Sequence, residues 1–176
     1  MTDWRVRDAT ADDADACAAI YAPYVRDTAI SFELVPPDAD ELARRIAAAQ
    51  VGHAWLVATA PDDDRVVGYA YGSTFRTREA YRHSCEVSVY LEPGLRRGGA
   101  GRALYQALLP RLAARGLRLA LAGMALPNEA SVGLHTALGF EPVGTFRRVG
   151  WKHGRWHDVA WMQRALTDTP DAPPAD

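Results

Sequence analysis

The chain has 176 residues, of which 48% are hydrophobic and 24% are charged, and its net charge is −2. This size and balance indicate a soluble globular protein with a sizeable core, and the near-neutral charge argues against nucleic-acid or membrane partners, so that any basic site must be local. No stretch has the apolar length of a membrane span or a signal peptide, and the two cysteines show no metal-ligand spacing. We expect a cytoplasmic protein without a metal.

The first half of the chain predicts a strand, two helices and a hairpin. Residues 4–8 alternate between polar and apolar, as in a strand, and Thr10 with the aspartates after it predicts the start of a helix. A second helix is predicted to begin at Asp38. The segments AWLVATA and VVGYAYG, joined by the polar turn PDDDR, predict a β-hairpin.

The second half predicts a parallel crossover followed by two more strands. A strand, a helix and a further strand in succession favour one parallel pair in an otherwise antiparallel sheet. The whole order, β-α-α-β-β-β-α-β-α-β-β, indicates a mixed α/β (α+β) sheet with helices on its faces. The predicted elements here are the strand CEVSVYL, a helix over 101–115 with Pro110 as a kink, the strand LRLALAGM, a helix capped by Asn128, and strands near 140–149 and 156–166.

The composition predicts one domain over residues 1–166. No internal repeat or interior linker interrupts it. The final segment TDTPDAPPAD, residues 167–176, is rich in proline and aspartate with little to bury, and it predicts a disordered tail.

Arginine and glycine cluster where the strand CEVSVYL turns into the helix after it, at LRRGGAGR. The first turn of a helix has main-chain N–H groups without partners, and glycines let a phosphate approach them closely. The spacing is neither a Walker loop nor a Rossmann fingerprint. From these residues alone, an anion site and a flexible connection with solvated arginines both stay open.

Glu86 lies within an otherwise apolar strand, where a charge is disfavoured. Period two places Glu86, Ser88 and Tyr90 on one face of that strand. Partial burial should raise the pKa of the carboxyl group, as a general base at neutral pH requires. The alternative is an edge-strand glutamate that faces solvent.

Together these motifs resemble those of the GNAT N-acetyltransferases. The pattern R-x-x-G-x-G/A at residues 96–101 resembles the acyl-CoA pyrophosphate motif of that family. The chain also resembles one branch of that family, which acetylates phosphinothricin and methionine sulfone or sulfoximine. This second resemblance extends over the whole chain except the tail. The segments that carry this resemblance are ISFE, FRTREAYRHSCEVSVYL, RALYQALL, LPNEASVGLHTALGF and VGWKHGRWHDVAWMQ, with the distinctive pattern G-x-K-x-G-x-W-x-D-V at residues 150–159.

The resemblance implies a GNAT-type fold and an acetyl-CoA site. The fold is a mixed, mostly antiparallel twisted sheet with a central, splayed parallel strand pair and helices on both faces. Amides of the glycine turn would cradle the pyrophosphate, and exposed backbone before the turn would pair with the pantetheine. Asn128 and Ser131 match cofactor-contacting positions, with helix capping as the alternative. The implied cofactor-binding residues are Val89, Tyr90, Leu91, Arg97, Gly98, Gly99, Ala100, Gly101, Arg102, Asn128 and Ser131.

The resemblance also implies which residues act on the acceptor. Glu86 would be the general base. His135 stands where many GNAT enzymes have a tyrosine that protonates the leaving thiolate, and a packed helix histidine is the alternative. Tyr105 is expected to pack in the core. The implied substrate-binding residues are Arg76, Thr77, Arg78, Val87, Ser88 and Phe32.

The implied activity is acetyl-CoA-dependent N-acetylation of a small amino acid analogue, by direct attack in a ternary complex. Phosphinothricin, methionine sulfoximine and methionine sulfone are the named acceptors, and the resemblance suggests a homodimer. An acetyl-cysteine intermediate at Cys85 has weak support. One alternative is a GNAT enzyme for a protein N-terminus or a polyamine, although Arg76 and Arg78 would repel a polyamine. Another is a non-catalytic acyl-CoA sensor, which would have no need of Glu86 as a base.

Overall fold

The computed structural model describes residues 4–95 and 98–168. Two residues of the glycine-arginine turn, Arg96 and Arg97, lie outside this range, and so does the predicted tail from residue 169 onward. The predicted pyrophosphate contact of Arg97 and the predicted disorder of the tail therefore fall outside the described residues.

Within the described ranges, seven strands and four α-helices follow one another in the predicted order. Proline does not end either helix that contains one, since α1 continues past Pro23 and α3 past Pro110. The strands are β1 (Arg5–Asp8), β2 (Trp55–Thr59), β3 (Val66–Thr74), β4 (Ser84–Leu91), β5 (Leu119–Ala125), β6 (Glu141–Lys152) and β7 (Arg155–Ala165), and the helices are α1 (Ala14–Asp27), α2 (Ala39–Gly52), α3 (Ala100–Ala114) and α4 (Glu129–Ala137).

The strands form one twisted sheet in the order β1-β2-β3-β4-β5-β7-β6. Neighbouring strands are antiparallel except β4 and β5, which are the predicted parallel pair. This pair is short, because it runs only from Ser84 opposite Leu119 to Glu86 opposite Leu121. Beyond that point β4 continues along β3, and β5 continues along β7. The two central strands therefore part, and the predicted mixed α/β fold class is confirmed.

Two hydrophobic cores lie on opposite faces of the sheet. Helix α3 covers one face with Leu104, Leu108 and Leu112, whose spacing of four residues puts them on one side of the helix, where all three are fully buried. Helices α1 and α2 cover the other face, with Cys17 and Ile46 among the residues of the second core. Each fully buried leucine contributes about 2 kcal/mol to stability, so both helix layers are firmly held.

Strand β6 forms one edge of the sheet and is exposed along residues 141–149. Its apolar side chains at Val143, Phe146 and Val149 are all more than half exposed. Trp151 and Trp156, at the tip of the β6–β7 hairpin, are exposed to the same degree. An exposed edge strand with such residues offers both hydrogen bonds and apolar area to a partner. Separately, no helix of the described chain is long and apolar enough to cross a membrane.

Candidate active site

The glycine turn before α3 has a fixed shape. Gly99 directly precedes the helix at φ +81°, a left-handed conformation that strains any residue with a side chain. Gly98 is held by Trp4, whose indole N–H donates to the Gly98 carbonyl. A Cβ atom at Gly98 would lie 3.0 Å from the same indole ring. The turn is thus shaped by its glycines and by Trp4.

The first turn of α3 presents main-chain donors. The amide of Ala103 makes the first intrahelical bond, to the Gly99 carbonyl at 2.9 Å, so the amides of Ala100, Gly101 and Arg102 have no partner within the helix. This described first turn contains no acidic residue, and the helix dipole adds partial positive charge there. The arrangement is suited to binding a pyrophosphate, as the family resemblance implies.

The parting of β4 and β5 leaves β4 backbone facing a gap. Glu92 donates its amide hydrogen to the Val67 carbonyl at 2.8 Å. Because alternate residues of an antiparallel strand bond to alternate sides, the main chain of Tyr90 also points toward β3, whereas Val89 and Leu91 point toward the gap. An extended ligand with amide groups could pair with these two residues in place of β5.

Tyr90 contributes its side chain to the packing of α1. Its ring centroid lies 4.7 Å from that of Tyr21 and 5.3 Å from that of Tyr24. The Tyr24 hydroxyl donates to the Leu91 carbonyl at 2.7 Å, at the edge of the gap. The aromatic cluster therefore holds the end of β4 in place.

Glu86 is half-buried at the last residue pair before the strands part. Burial raises the pKa of its carboxyl group, and the nearby Arg76 guanidinium opposes that rise only in part. The direction of this pKa shift is the one that the strand pattern predicts. A carboxylate of raised pKa at the mouth of a gap is suited to accept a proton.

A cavity of about 370 Å³ lies between the β3–β4 loop and the β6–β7 hairpin. Leu121 pairs with Glu86, so both side chains stand on the same face of the sheet. The guanidinium of Arg76 lies 4.9 Å from the centroid of the Phe75 ring. The cavity is lined by Phe75, Arg76, Leu121, Val143, Gly144, Thr145, Phe146 and Trp161. Arg76 thus supplies a positive charge to an otherwise uncharged lining.

The loop between α1 and α2 carries Phe32 and Glu33. The Phe32 ring is 40% exposed and rests directly on Gly150, which has no room for a Cβ atom. The Glu33 carboxylate accepts hydrogen bonds from the Tyr21 hydroxyl at 2.9 Å and from Arg45 at 2.7 Å. Burial would raise the pKa of Glu33, but these donors hold it below its usual value, so the group is ionised.

Residues 6–161 match the family model described as an acetyltransferase (GNAT) domain. The chain belongs to the GNAT acetyltransferase family. It is 42% identical over 166 residues to a phosphinothricin N-acetyltransferase of Streptomyces coelicolor, which covers 92% of this chain and 96% of that protein. It is 39% identical over 172 residues to an L-methionine sulfoximine/L-methionine sulfone acetyltransferase of Pseudomonas aeruginosa, which covers 96% of this chain and 98% of that protein.

The fold of this GNAT protein also matches solved structures. A phosphinothricin acetyltransferase from Sinorhizobium meliloti, crystallised in complex with acetyl-CoA, superposes with a TM-score of 0.94 at 39% identity and covers 100% of this chain and 95% of that one. The predicted family, branch resemblance and enzyme class are thereby confirmed.

One predicted acceptor residue, Val87, does not face the site. Val87 is 3% exposed and lies in the core beneath α3, because period two turns it away from Glu86. Its side chain does not line the cavity. Arg76, Thr77 and Arg78 are all exposed on the β3–β4 loop, and Arg76 is the arginine whose charge acts on Glu86.

Asn128 and Ser131 make the predicted capping contact at α4. The Asn128 side chain accepts a hydrogen bond from the Ser131 amide at 3.2 Å. Asn128 also lines a surface pocket of about 700 Å³ between α4 and the start of β7. The capping contact leaves the Asn128 side-chain amide hydrogens available for a ligand.

His135 is buried in the core, with both ring nitrogens close to partners. Its Nδ1 atom lies 2.8 Å from the Ser131 carbonyl oxygen, and its Nε2 atom lies 3.1 Å from the Tyr105 hydroxyl. A carbonyl only accepts, so Nδ1 carries the hydrogen and Nε2 accepts from Tyr105. Burial lowers the pKa of the ring. A neutral histidine in this state has no hydrogen for a thiolate, which favours the packed alternative. Tyr105 is fully buried, as predicted.

Both cysteines are fully buried, Cys17 on the inner side of α1 and Cys85 beneath α3. Burial raises the pKa of each thiol to about 12. Cys85 also points to the opposite face of β4 from Glu86. Because the thiolate is the nucleophilic form, the structure gives no support to an acetyl-cysteine intermediate.

Sequence reasoning missed the residues of β6 and β7 that line this cavity. Trp161 of β7 lies against Gly123 of β5, where a Cβ atom would be 3.0 Å from the indole ring. Val143 and Phe146 of β6 complete this wall. A glycine inside the apolar strand LRLALAGM was the available indication that a bulky group packs against it.

We predict that His135 stays neutral across the working pH range. In spectra of protein labelled with ¹⁵N-histidine, its ring nitrogens should show the Nδ1–H form at pH 7 and titrate only below the ordinary histidine pKa of 6.5. The four other histidines serve as internal references. Titration of His135 above pH 7 would restore it as a general acid.

Proposed function

We propose that this GNAT enzyme transfers the acetyl group of acetyl-CoA to the α-amine of a small amino acid analogue. Phosphinothricin, methionine sulfoximine and methionine sulfone are the proposed acceptors. The observation that carries the proposal is the position of Glu86, with its raised carboxyl pKa, beside the strand gap and on the same face as the cavity that Arg76 lines. The relatives named above act on these three acceptors.

The chain offers acetyl-CoA two sets of main-chain groups. The amides of Ala100, Gly101 and Arg102 would hold the pyrophosphate at the N-terminus of α3. Val89 and Leu91 would pair with pantetheine amides in the gap, and Asn128 would add a side-chain amide. The left-handed Gly99 supports this fit, because it lacks a Cβ and the space beside it is open, with nothing within 4 Å of where a Cβ would stand.

Acetyl-CoA supplies an activated acyl group, and the protein supplies position and a base. Arg76 binds the α-carboxylate of the acceptor and so places its amine near Glu86. Glu86 accepts a proton from the amine, directly or through water, which frees the nitrogen lone pair. The nitrogen then bonds to the thioester carbonyl carbon as the carbon–sulfur bond breaks. The nitrogen loses its second proton to solvent to become the amide, and the CoA thiolate takes up a proton from solvent and departs.

The test of acceptor identity is a panel assay of CoA release. Purified protein with acetyl-CoA should turn over phosphinothricin, methionine sulfoximine or methionine sulfone with kcat/KM at least about a hundredfold above that for common amino acids, spermidine and a peptide N-terminus, since a site built for one set of polar groups rejects others strongly. Turnover confined to common amino acids, spermidine or the peptide would overturn the proposed acceptors but leave the enzyme class in place. Tight acetyl-CoA binding without any turnover would favour the sensor.

Replacing Glu86 by glutamine should separate catalysis from binding. We expect Glu86→Gln to lower kcat by about 10²–10⁴-fold, the usual worth of a general base, and to leave the calorimetric Kd for acetyl-CoA within about twofold, because the cofactor contacts lie elsewhere. Wild-type turnover by a folded Glu86→Gln variant would sink the base assignment.

The pH dependence of kcat/KM gives a second test of Glu86 as the general base, with a matched pair of arginine variants. Glu86 must be ionised to accept a proton, so kcat/KM should fall as the pH drops through its raised pKa, which lies above 4.5. Arg76 lowers that pKa, so Arg76→Met should move the acid limb to higher pH, whereas Arg78→Met should leave the limb in place. If the acid limb of kcat/KM stays at the same pH in Arg76→Met, a group other than Glu86 causes it.

We propose that the enzyme is a homodimer that buries the exposed face of β6. The half-exposed side chains of Phe146 and Val149 support this, since they form an apolar edge next to the cavity. Light scattering after gel filtration should give twice the chain mass of 19.2 kDa, and Val149→Lys should shift the protein toward monomer. Gln106→Lys, on the exposed side of α3, is the control, and a monomer at all concentrations would refute the proposal.

A further inference from the structure

Lysine occurs once in this sequence, at Lys152, and the rest of its 20 basic Lys and Arg residues are arginines. This lysine belongs to the branch pattern at residues 150–159 and ends strand β6. It is 5% exposed. A chain that otherwise uses arginine throughout has kept lysine at a buried position, which indicates that the site requires an ammonium group.

The contacts of Lys152 explain that requirement. Its Nζ atom donates to the carbonyl oxygens of Val25 at 2.6 Å, Ser31 at 2.7 Å and Glu33 at 2.9 Å. These bonds use all three hydrogens of the ammonium group. A planar guanidinium directs its donors in a fork and cannot place three of them around one point. The three carbonyls belong to the last turn of α1 and to the loop that follows it.

Other groups of the hairpin tip hold the same loop. The His153 Nε2 atom lies 3.2 Å from the Thr28 carbonyl, and Gly150 provides the surface on which the Phe32 ring lies. The Lys152 carbonyl in turn lies 3.0 Å from Nε2 of buried His157. The tip of the β6–β7 hairpin therefore fixes the loop from residue 28 to residue 33.

This loop is connected to the surroundings of Glu86 through two tyrosines. The Tyr21 hydroxyl lies 2.7 Å from Ser31 Oγ and donates to Glu33. Tyr71 pairs with Ser88 across the sheet, and the charges of Glu86 and Glu33 both add to the rise that burial causes in the pKa of the Tyr71 hydroxyl. The Tyr21 ring also packs 4.7 Å from the ring of Tyr90, which shares one face of β4 with Glu86, so the loop and Glu86 lie on the same face of the sheet.

We propose that Lys152 is a positioning residue for the acceptor. It holds the loop of Ser31, Phe32 and Glu33 as the wall of the acceptor site that faces Glu86, and so it sets acceptor affinity without touching the acceptor. The proposal rests on the proposed function in one respect, that the acceptor binds on the Glu86 face of the sheet. Helix α3, whose first turn offers main-chain amides to the cofactor, lies on the opposite face of the sheet from α1 and this loop.

The first test compares Lys152→Met with Arg26→Met. Methionine keeps the length of the side chain and removes its donors, whereas Arg26 is exposed beside the same loop and serves as the control. We expect Lys152→Met to raise the acceptor KM by about tenfold or more, as the loss of charged hydrogen bonds allows, with acetyl-CoA Kd within about twofold. A folded Lys152→Met variant with the wild-type acceptor KM would overturn the proposal.

A second set of variants tests the wall without altering Lys152. Gly150→Ala must displace the Phe32 ring, and we expect it to raise the acceptor KM. In a Phe32→Ala background no ring remains to be displaced, so adding Gly150→Ala should change nothing further. If Gly150→Ala leaves the acceptor KM unchanged, or if its effect persists without the Phe32 ring, the wall does not act as proposed.

A third test uses the wild-type enzyme and its one lysine. After labelling with ¹⁵N-lysine, the spectrum should show a single side-chain ammonium signal in slow exchange with water, which shifts when saturating acceptor is added and stays in place with acetyl-CoA alone. A signal that ignores the acceptor would overturn the proposal. Failure of the proposed function would instead be seen as wild-type enzyme that turns over none of the amino acid analogues, and the KM comparison would then use the amine that is turned over.

Discussion

The separation of β4 and β5 is the constraint on which the site depends. These central strands pair only as far as Glu86, and beyond that point β4 follows β3 while β5 follows β7. The main-chain groups of Val89 and the amide of Leu91 are left facing a gap inside a sheet, where β5 does not pair with them, whereas the Leu91 carbonyl accepts from the Tyr24 hydroxyl. The base lies at the point of parting, and α3 begins at the other end of the same gap.

The two faces of β4 have different roles. On the α3 face Cys85 and Val87 are sealed into a core that supports the strand. On the opposite face Glu86 and Ser88 are only half-buried. Partial burial is what the chemistry needs, since full burial would keep the carboxyl group protonated and full exposure would leave its pKa at the ordinary value. A rigid face thus carries a reactive one.

Local patterns in the sequence predicted the element order, the glycine turn and the orientation of Glu86. Each of these depends on neighbours in the chain, namely the period of a strand, the start of a helix and the conformational freedom of glycine. The contacts that define the acceptor side depend on distant residues. Lys152 bonds to carbonyls that lie between 119 and 127 positions away, and β7 inserts between β5 and β6. Neither arrangement has a signature in local spacing, and the burial of His135 against Tyr105 has none either.

The placement of the two cysteines affects how the protein behaves toward oxidants and disulfide reagents. Cys17 and Cys85 are enclosed in separate cores on opposite faces of the sheet, and burial disfavours the thiolate of each. Thiol–disulfide exchange requires an accessible thiolate. The folded enzyme should therefore resist inactivation by peroxide or oxidised glutathione, and a colorimetric disulfide reagent should record the CoA that turnover releases with no background from the protein.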